Sequence, residues 1–387
     1  DTTRCQYYMH NFLTSQPDLN FHNPDVQDTL LGIVRFWLEL GVDGFRLDTI
    51  NFYFHAQSLK DNPALPPEER NFTTAPEVNP YNYQDHIYDK SQPENIEFLK
   101  RFRAVLDEFP AAAAVGEIGD AQRGLEILAQ YTKGNDRIHM CYSFDFLAPD
   151  PISATKVRDV IEEFEREAPD GWSCWAFSNH DVVRHATRWG SHERNPERYL
   201  RAVAGLLMSV RGSISIYQGE ELGLPEADIP YEDLQDPYGI RFWPKFKGRD
   251  GCRTPMVWAS NLPNGGFTTG KPWLPVPDIH RAMAVDTQQG RDDSVYEFYR
   301  DFLEFRRNHP VLAKGSIRFV DAPEDVVAFI REDEGMALYC AFNLGHGDVS
   351  FKPRLKLEKL DDAPLDGRIE HGTVTLKALG GIIGRIK

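Results

Sequence analysis

Three carboxylate residues and one guanidinium stand at comparable points of this sequence. They are Asp48 with Arg46 in "GVDGFRLDTI", Glu117 in "AVGEIGD", and Asp181 in "FSNHD". Each acid falls where a short apolar run ends and a polar segment begins. Glycoside hydrolysis is chemistry that needs such a set: two carboxyl groups flank the scissile bond, one of them kept protonated, and further negative charge stabilises an oxocarbenium-like transition state. In a strand, side chains alternate between faces, so Gly44, Arg46 and Asp48 share one face while Phe45 and Leu47 share the other. A guanidinium beside Asp48 favours its ionised form and fixes its direction. Taken alone, the pair fits a buried structural ion pair equally well.

The elements that would position these groups follow from periodicity. Val26, Leu30, Ile33, Val34, Trp37 and Leu40 recur at helical spacing over 24–40, with Asn23 placed to cap, Pro24 in the first turn and Gly41 as the stop. The strand 43–48 follows and reads as buried. Further strand-like runs occur at 113–116, 139–144, 174–178 and 213–217, separated by helical patterns at 93–109, 124–131, 153–167 and 196–209. Strict alternation of strand and helix predicts a parallel sheet with crossover helices. Polar residues gather at the carboxyl ends of the strands: Asp48, Glu117, Phe144 with Asp145, His180 with Asp181, and Gln218 with Glu220. That is where a (β/α)8 barrel builds its active site. A doubly wound nucleotide-binding sheet would carry a glycine-rich phosphate turn, and neither GxGxxG nor GxxxxGK[ST] occurs.

Two segments, 49–92 and 219–290, are too long for plain connectors and are expected to roof a pocket, although the second also suits a surface insertion. A last helix is expected at 291–309. From "SIRFV" to "GGIIGRI" the chain turns to short strands and turns, which predicts a small antiparallel sandwich. The expected division is a catalytic part, 1–310, and a β domain, 311–387.

Composition sets the outer limits. A chain of 387 residues buries a large core, and a net charge of −16 repels the backbone of a nucleic acid, so the expected partner is a small neutral molecule. Five widely spaced cysteines without a CxxC pair argue against a disulfide framework and a zinc site. His180 and His185 lie off the spacing of a helical metal pair, so no metal ligands are assigned. No apolar run reaches the ~18 residues of a membrane span and no signal peptide opens the chain, so a cytoplasmic location is expected. Aromatic residues make up 12% of the chain, which suits sugar stacking but more simply core packing. The sequon at Asn71 stands alone as a sign of secretion.

The words "QPDLN" (16–20), "GVDGFRLD" (41–48), "GE" (116–117), "SNHD" (178–181) and "GRDGCRTPMVW" (248–258) together resemble glycoside hydrolase family 13, the α-amylase family, and most closely its α-glucosidase and oligo-1,6-glucosidase branch. The resemblance covers nearly the whole chain. It implies a retaining double displacement in which Asp48 is the nucleophile, Glu117 the acid and then base, and Asp181 the transition-state stabiliser. Arg46 would orient the nucleophile, His180 and Arg249 would hold the innermost glucose, and Phe144 would be an aromatic wall near the leaving sugar. At Thr49, directly after the nucleophile, Val often accompanies α-1,6 preference in this branch, so Thr leans toward α-1,4 bonds. The substrate implied is a short α-glucoside, cleaved from its end.

The family also has three earlier strands, a loop that carries calcium in many members, an inserted small domain and a motif ending in Asn-His. None is present here, and the chain reads as strands 4 to 8. No cofactor is therefore expected on this chain, a structural calcium belonging to the earlier part. The expectation is a longer polypeptide, or a second chain that completes the barrel, which leaves independent activity open. Transglucosylase, trehalose synthase and sucrose isomerase use the same carboxylates and remain alternatives. A non-catalytic accessory or binding relative usually lacks them.

Overall fold

The computed structural model describes residues 1–72, 74–190 and 196–387. They form two compact units, Asp1–Asp145 with Glu163–Cys174 and Phe146–Glu162 with Trp175–Lys387. The Asn71 sequon ends on Thr73, outside the described residues. No helix among the described residues is long and apolar enough to cross a membrane.

In the first unit, helix α1 spans Pro24–Leu40, with the Asn23 side chain accepting from the Asp25 N–H and Gly41 closing the helix in the left-handed region. Strand β1 (Gly44–Leu47), β2 (Ala113–Glu117) and β3 (Met140–Tyr142) form a parallel sheet in that order, and helices α2 (Glu94–Leu106) and α3 (Gly124–Thr132) make the crossovers. Gly44 is required by close approach, since a Cβ there would collide with the carbonyl of Ala113. Phe45 points to the helix side and meets Phe102 edge-to-face at 6.1 Å. Arg46 points to the other side, as the alternation predicts.

The expectation of a buried β1 is corrected, because its residues are only partly covered or exposed. The physical reason is that β1 is the edge strand of its sheet. For the same reason the apolar stripe of α1 is open: Ile33 is 47% exposed, Trp37 44% and Leu40 66%. Among its described residues the segment 49–92 has three short 3-10 turns, Ile50–Phe52, Pro67–Glu69 and Pro80–Tyr83, and one antiparallel bridge, Ala64 with Gln84.

The division between the units falls inside helix α4 (Ala154–Glu167). The second unit resumes at Trp175, after the first residue of β4 (Cys174–Ala176), and β4 pairs with β5 (Ser213–Ser215), with α5 (His185–Arg188) and α6 (Pro196–Leu207) between them. Both strands stop two residues short of expectation. The segment 219–290 carries the short helices α7 (Pro237–Phe242), α8 (Asp278–Ala282) and α9 (Val285–Gln288). Helix α10 covers Val295–Asn308, not 291–309, because Ser294 caps it by accepting from the Glu297 N–H. A turn of helix, α11 (Pro310–Lys314), leads to the last eight strands.

Those strands are β6 (Ser316–Phe319), β7 (Val326–Asp333), β8 (Met336–Asn343), β9 (Val349–Phe351), β10 (Leu357–Lys359), β11 (Arg368–Glu370), β12 (Thr373–Leu376) and β13 (Gly381–Ile386). They make a five-stranded sheet, β10-β13-β8-β7-β6, and a three-stranded sheet, β11-β12-β9, both antiparallel. Val326, Ala328, Ile330, Tyr339, Ala341 and Ile382 of the first sheet share a core with Val374 and Leu376 of the second. The expected antiparallel sandwich is thus present.

The central strands read as continuous apolar runs because both of their faces are covered. Opposite the sandwich core, Phe342 and Phe302 press on Gly205 of α6, where a Cβ would stand 3.1 and 3.2 Å from their rings. Arg331 is fully buried on this side and donates to the carbonyls of Ser209, Leu312, Gly315 and Ser316.

Candidate active site

The parallel register places the first group of residues. Glu117 lies opposite Tyr142, and Arg46 opposite Val115, so Arg46, Glu117 and Tyr142 all project from one face at the carboxyl ends of neighbouring strands. Arg46 is the hub. One Nη donates to Asp48 Oδ1, and the other stands 2.8 Å from the Tyr142 hydroxyl and 2.9 Å from Glu117 Oε2. The Tyr142 hydroxyl donates to Glu117 Oε1 at 2.9 Å, and the Thr49 N–H donates to Glu117 Oε2 at 3.3 Å.

The two carboxyl groups have unlike surroundings, which is how one site assigns two carboxyls different tasks. The Asp48 side chain is 73% exposed, and that of Glu117 only 3%. Burial opposes the charge on Arg46, but Glu117, Tyr142 and Asp48 more than offset it, and its pKa is raised. Burial and then the Glu117 carboxylate push the Tyr142 phenol up, so it stays a neutral donor. Thr49 carries a left-handed backbone, φ 39°, uncommon for a β-branched residue, and this turns its N–H toward Glu117. Phe144 lies just beyond β3 and is buried.

The second unit holds another group. Asp181 Oδ1 accepts from Arg249 Nη1 at 2.8 Å and from Arg253 Nη2 at 2.7 Å. His180 Nε2 stands 3.6 Å from Asp181 Oδ2. Arg249 in turn grips the buried Asp236 through Nε and Nη2, both at 3.0 Å, in a bidentate fork. Burial alone would raise the Asp236 carboxyl, but Arg249 brings it below the usual range. The Arg249 guanidinium of the sequence reading therefore joins Asp181 to Asp236.

Tyr142, Arg253 and Asp236 were not anticipated. Tyr142 lies inside the run 139–144 and not at its end, so the end-of-strand signal fell on Phe144 instead, and Arg253 lies four residues after Arg249 in a segment already marked. Asp236 had no signal in the sequence.

Beneath "SNHD" lies a buried polar set. The Ser178 hydroxyl is 2.9 Å from His185 Nδ1, His185 Nδ1 is 3.9 Å from Glu220 Oε1, and the Tyr299 hydroxyl donates to Glu220 Oε1 at 3.1 Å. Burial pushes the Glu220 carboxyl up to about 7, against the Tyr217 N–H and the Tyr299 hydroxyl, which favour its charge. A carboxyl raised by folding binds its proton more tightly in the folded than in the unfolded chain. Its contribution is therefore complete below about 4.5 and is lost as pH rises through about 7. Glu220→Gln is expected to flatten the decline of stability over that window, measured by denaturant unfolding at a series of pH values. An unchanged slope would refute the ionisation.

A family model of the alpha-amylase catalytic domain matches residues 1–315. The chain belongs to this family of glycoside hydrolases, in its branch of α-glucosidases and oligo-1,6-glucosidases. It is 58% identical over 387 residues to a probable alpha-glucosidase of Rhizobium meliloti (strain 1021), over all of this chain and 70% of that one. An oligo-1,6-glucosidase of Heyndrickxia coagulans is 30% identical over 388 residues, with 91% of this chain and 66% of that one covered. The crystal structure of the alpha-glucosyl transfer enzyme XgtA matches with a TM-score of 0.93 and 48% identity, covering 98% of this chain and 71% of that one. The chain thus spans 66 to 71% of the length of these relatives. Its fold is the α/β catalytic fold of the family with a following antiparallel β domain, and among the described residues the sheets of the α/β part do not close into a barrel.

Proposed function

We propose that this protein is a retaining, exo-acting α-glucosidase for short α-glucosides. The observation that carries the reading is the shared guanidinium: Arg46 faces an exposed carboxylate, Asp48, and a buried carboxyl group, Glu117, at the ends of adjacent strands. Asp48 attacks the anomeric carbon and forms a β-glucosyl ester while Glu117 protonates the departing oxygen. Water then attacks the ester with Glu117 as base, and the configuration is retained. Asp181, with His180 and Arg249, stabilises the transition state and holds the glucose, and Phe144 lines the site beside the leaving sugar. In this reading β1 to β5 are the last five strands of an eight-stranded barrel, and this chain's residues hold no cofactor.

Transfer to a sugar acceptor in place of water is the second reading, favoured by the likeness to XgtA. Product analysis with maltose, isomaltose and sucrose separates the two. Glucose as the main product, with little internal cleavage of long starch, supports hydrolysis from chain ends. Predominant new disaccharides would favour transfer or isomerisation.

Within this reading Thr49 favours α-1,4 over α-1,6 bonds. A change of one methyl or hydroxyl beside the leaving sugar is worth ~1 to 3 kcal/mol, so Thr49→Val is expected to shift the maltose-to-isomaltose ratio of kcat/KM about tenfold toward isomaltose. A wild-type ratio near one, or no shift, would count against the role.

A further inference from the structure

The long segment that follows Asp48 has a second task, visible at its two ends. Strand β1 stops at Leu47, opposite Gly116, so beyond that point β2 has lost its backbone neighbour on this side. On the other side the pairing continues, with the Ile118 N–H donating to the Tyr142 carbonyl at 2.9 Å. On the open side a side chain takes the place of the strand. The Gly119 N–H donates to Asn51 Oδ1 at 3.0 Å, and Asn51 Nδ2 donates back to the Gly119 carbonyl at 3.3 Å. Asn51 is fully buried, and its Nδ2 also donates to the Ser91 hydroxyl at 3.0 Å.

The other end of the segment delivers Lys90 to the same peptide. Lys90 is 2% exposed, and its ammonium donates to the Gly119 carbonyl at 2.8 Å. Asp120 Oδ2 lies 3.5 Å away, and the rings of Phe52 and Tyr81 are 5.0 and 5.5 Å from the nitrogen. A lysine is rarely buried so completely, because its charge is costly to remove from water. Burial does push its pKa down, against the pull of Asp120. Here that cost is met at a carbonyl two residues beyond Glu117.

We propose that Asn51 and Lys90 are positioning residues for Glu117: by gripping the Gly119 peptide from both ends of the 49–92 segment, they keep the Glu117 carboxyl against Tyr142 and Thr49. This inference rests on the reading of Glu117 as the acid. The segment is then a brace for the acid as well as surface chain. Misplacement by about 1 Å costs on the order of 10²-fold in a step that depends on geometry. The loss falls on proton donation, so it depends on the leaving group.

The test compares Asn51→Ala and Lys90→Met with wild type in the full-length chain, on maltose and on an activated nitrophenyl α-glucoside. The expected result is a fall of about 10²-fold in kcat/KM for maltose and of about threefold or less for the aryl glucoside. In a Glu117→Gln background the same substitutions are expected to cost almost nothing further on maltose, since coupled residues are not additive. A merely structural role would lower both substrates alike and add to Glu117→Gln, and either outcome overturns the proposal. If thermal unfolding shows that the two variants do not fold, Ser91→Ala decides. It removes only one hydrogen bond that orients Asn51, and its maltose-to-aryl ratio must shift in the same direction. Glu117→Gln alone separates the two levels. Without a leaving-group effect in that variant, the acid assignment fails and the brace with it. With one, equal losses in the Asn51 and Lys90 variants refute the brace only.

Discussion

Asp48→Asn is expected to lower kcat for maltose by ~10⁴-fold or more. The amide has nearly the shape of the carboxylate, but it lacks the negative charge that attacks the anomeric carbon and cannot form the ester. The Arg46 guanidinium keeps its other partners, Tyr142 and Glu117, so the fold around it is expected to persist. A slow fluorinated glucoside that traps the intermediate should add one sugar mass to the wild-type peptide containing Asp48, and none to the variant. A label on any other residue would remove Asp48 from the nucleophile's role.

Glu117→Gln is expected to divide substrates by their leaving groups. General acid catalysis contributes ~10²- to 10⁴-fold, and a sugar alkoxide needs the proton where a nitrophenolate hardly does. Glycosylation by maltose should therefore fall by about that factor, while the first step with the aryl glucoside is nearly preserved and the base-assisted second step slows. An early burst of nitrophenolate followed by slow turnover is the kinetic sign. The amide of Gln has one acceptor oxygen and keeps only one of the bonds that the two carboxylate oxygens accept from Tyr142 and Thr49, a loss that falls on both substrates alike. A leaving-group effect therefore reports the missing proton, and equal losses on both substrates would show that Glu117 is not the acid.

The parts of this fold legible in the sequence are those governed by local periodicity. Helix 24–40 was read to the residue because Asn23, Pro24 and Gly41 mark its ends chemically. The strand runs were found, and all but 113–116 were overextended: 139–144 is a strand only over Met140–Tyr142, because hydrophobicity continues into the buried Phe144 after the pairing has ended. The Arg46–Asp48 pair was legible because a strand has a period of two. Tyr142 is brought to Glu117 by register between strands, and Asn51 and Lys90 reach Gly119 by the path of a long loop. Neither leaves a local pattern. Asp236 is found only when the 219–290 segment has folded back on Arg249. The open stripe of α1 was unreadable for a related reason, since periodicity gives the apolar face of a helix but not whether anything covers it.

Arg331 bears on where this polypeptide can be cut. A guanidinium spreads one charge over a planar fork of donors, and here the fork is spent on backbone carbonyls from the turn after α6, from α11 and its close, and from the first residue of β6. One of those carbonyls, that of Ser209, lies before the connection at 310–316 and the other three lie within it, so severing the chain there would leave at least one orphaned acceptor in the first fragment and a desolvated cation in the second. Orphaned buried groups of that kind cost more than the same bonds contribute when whole. The sandwich is thus stitched to the helices before it as one melting unit, and it is a poor candidate for a transplantable module.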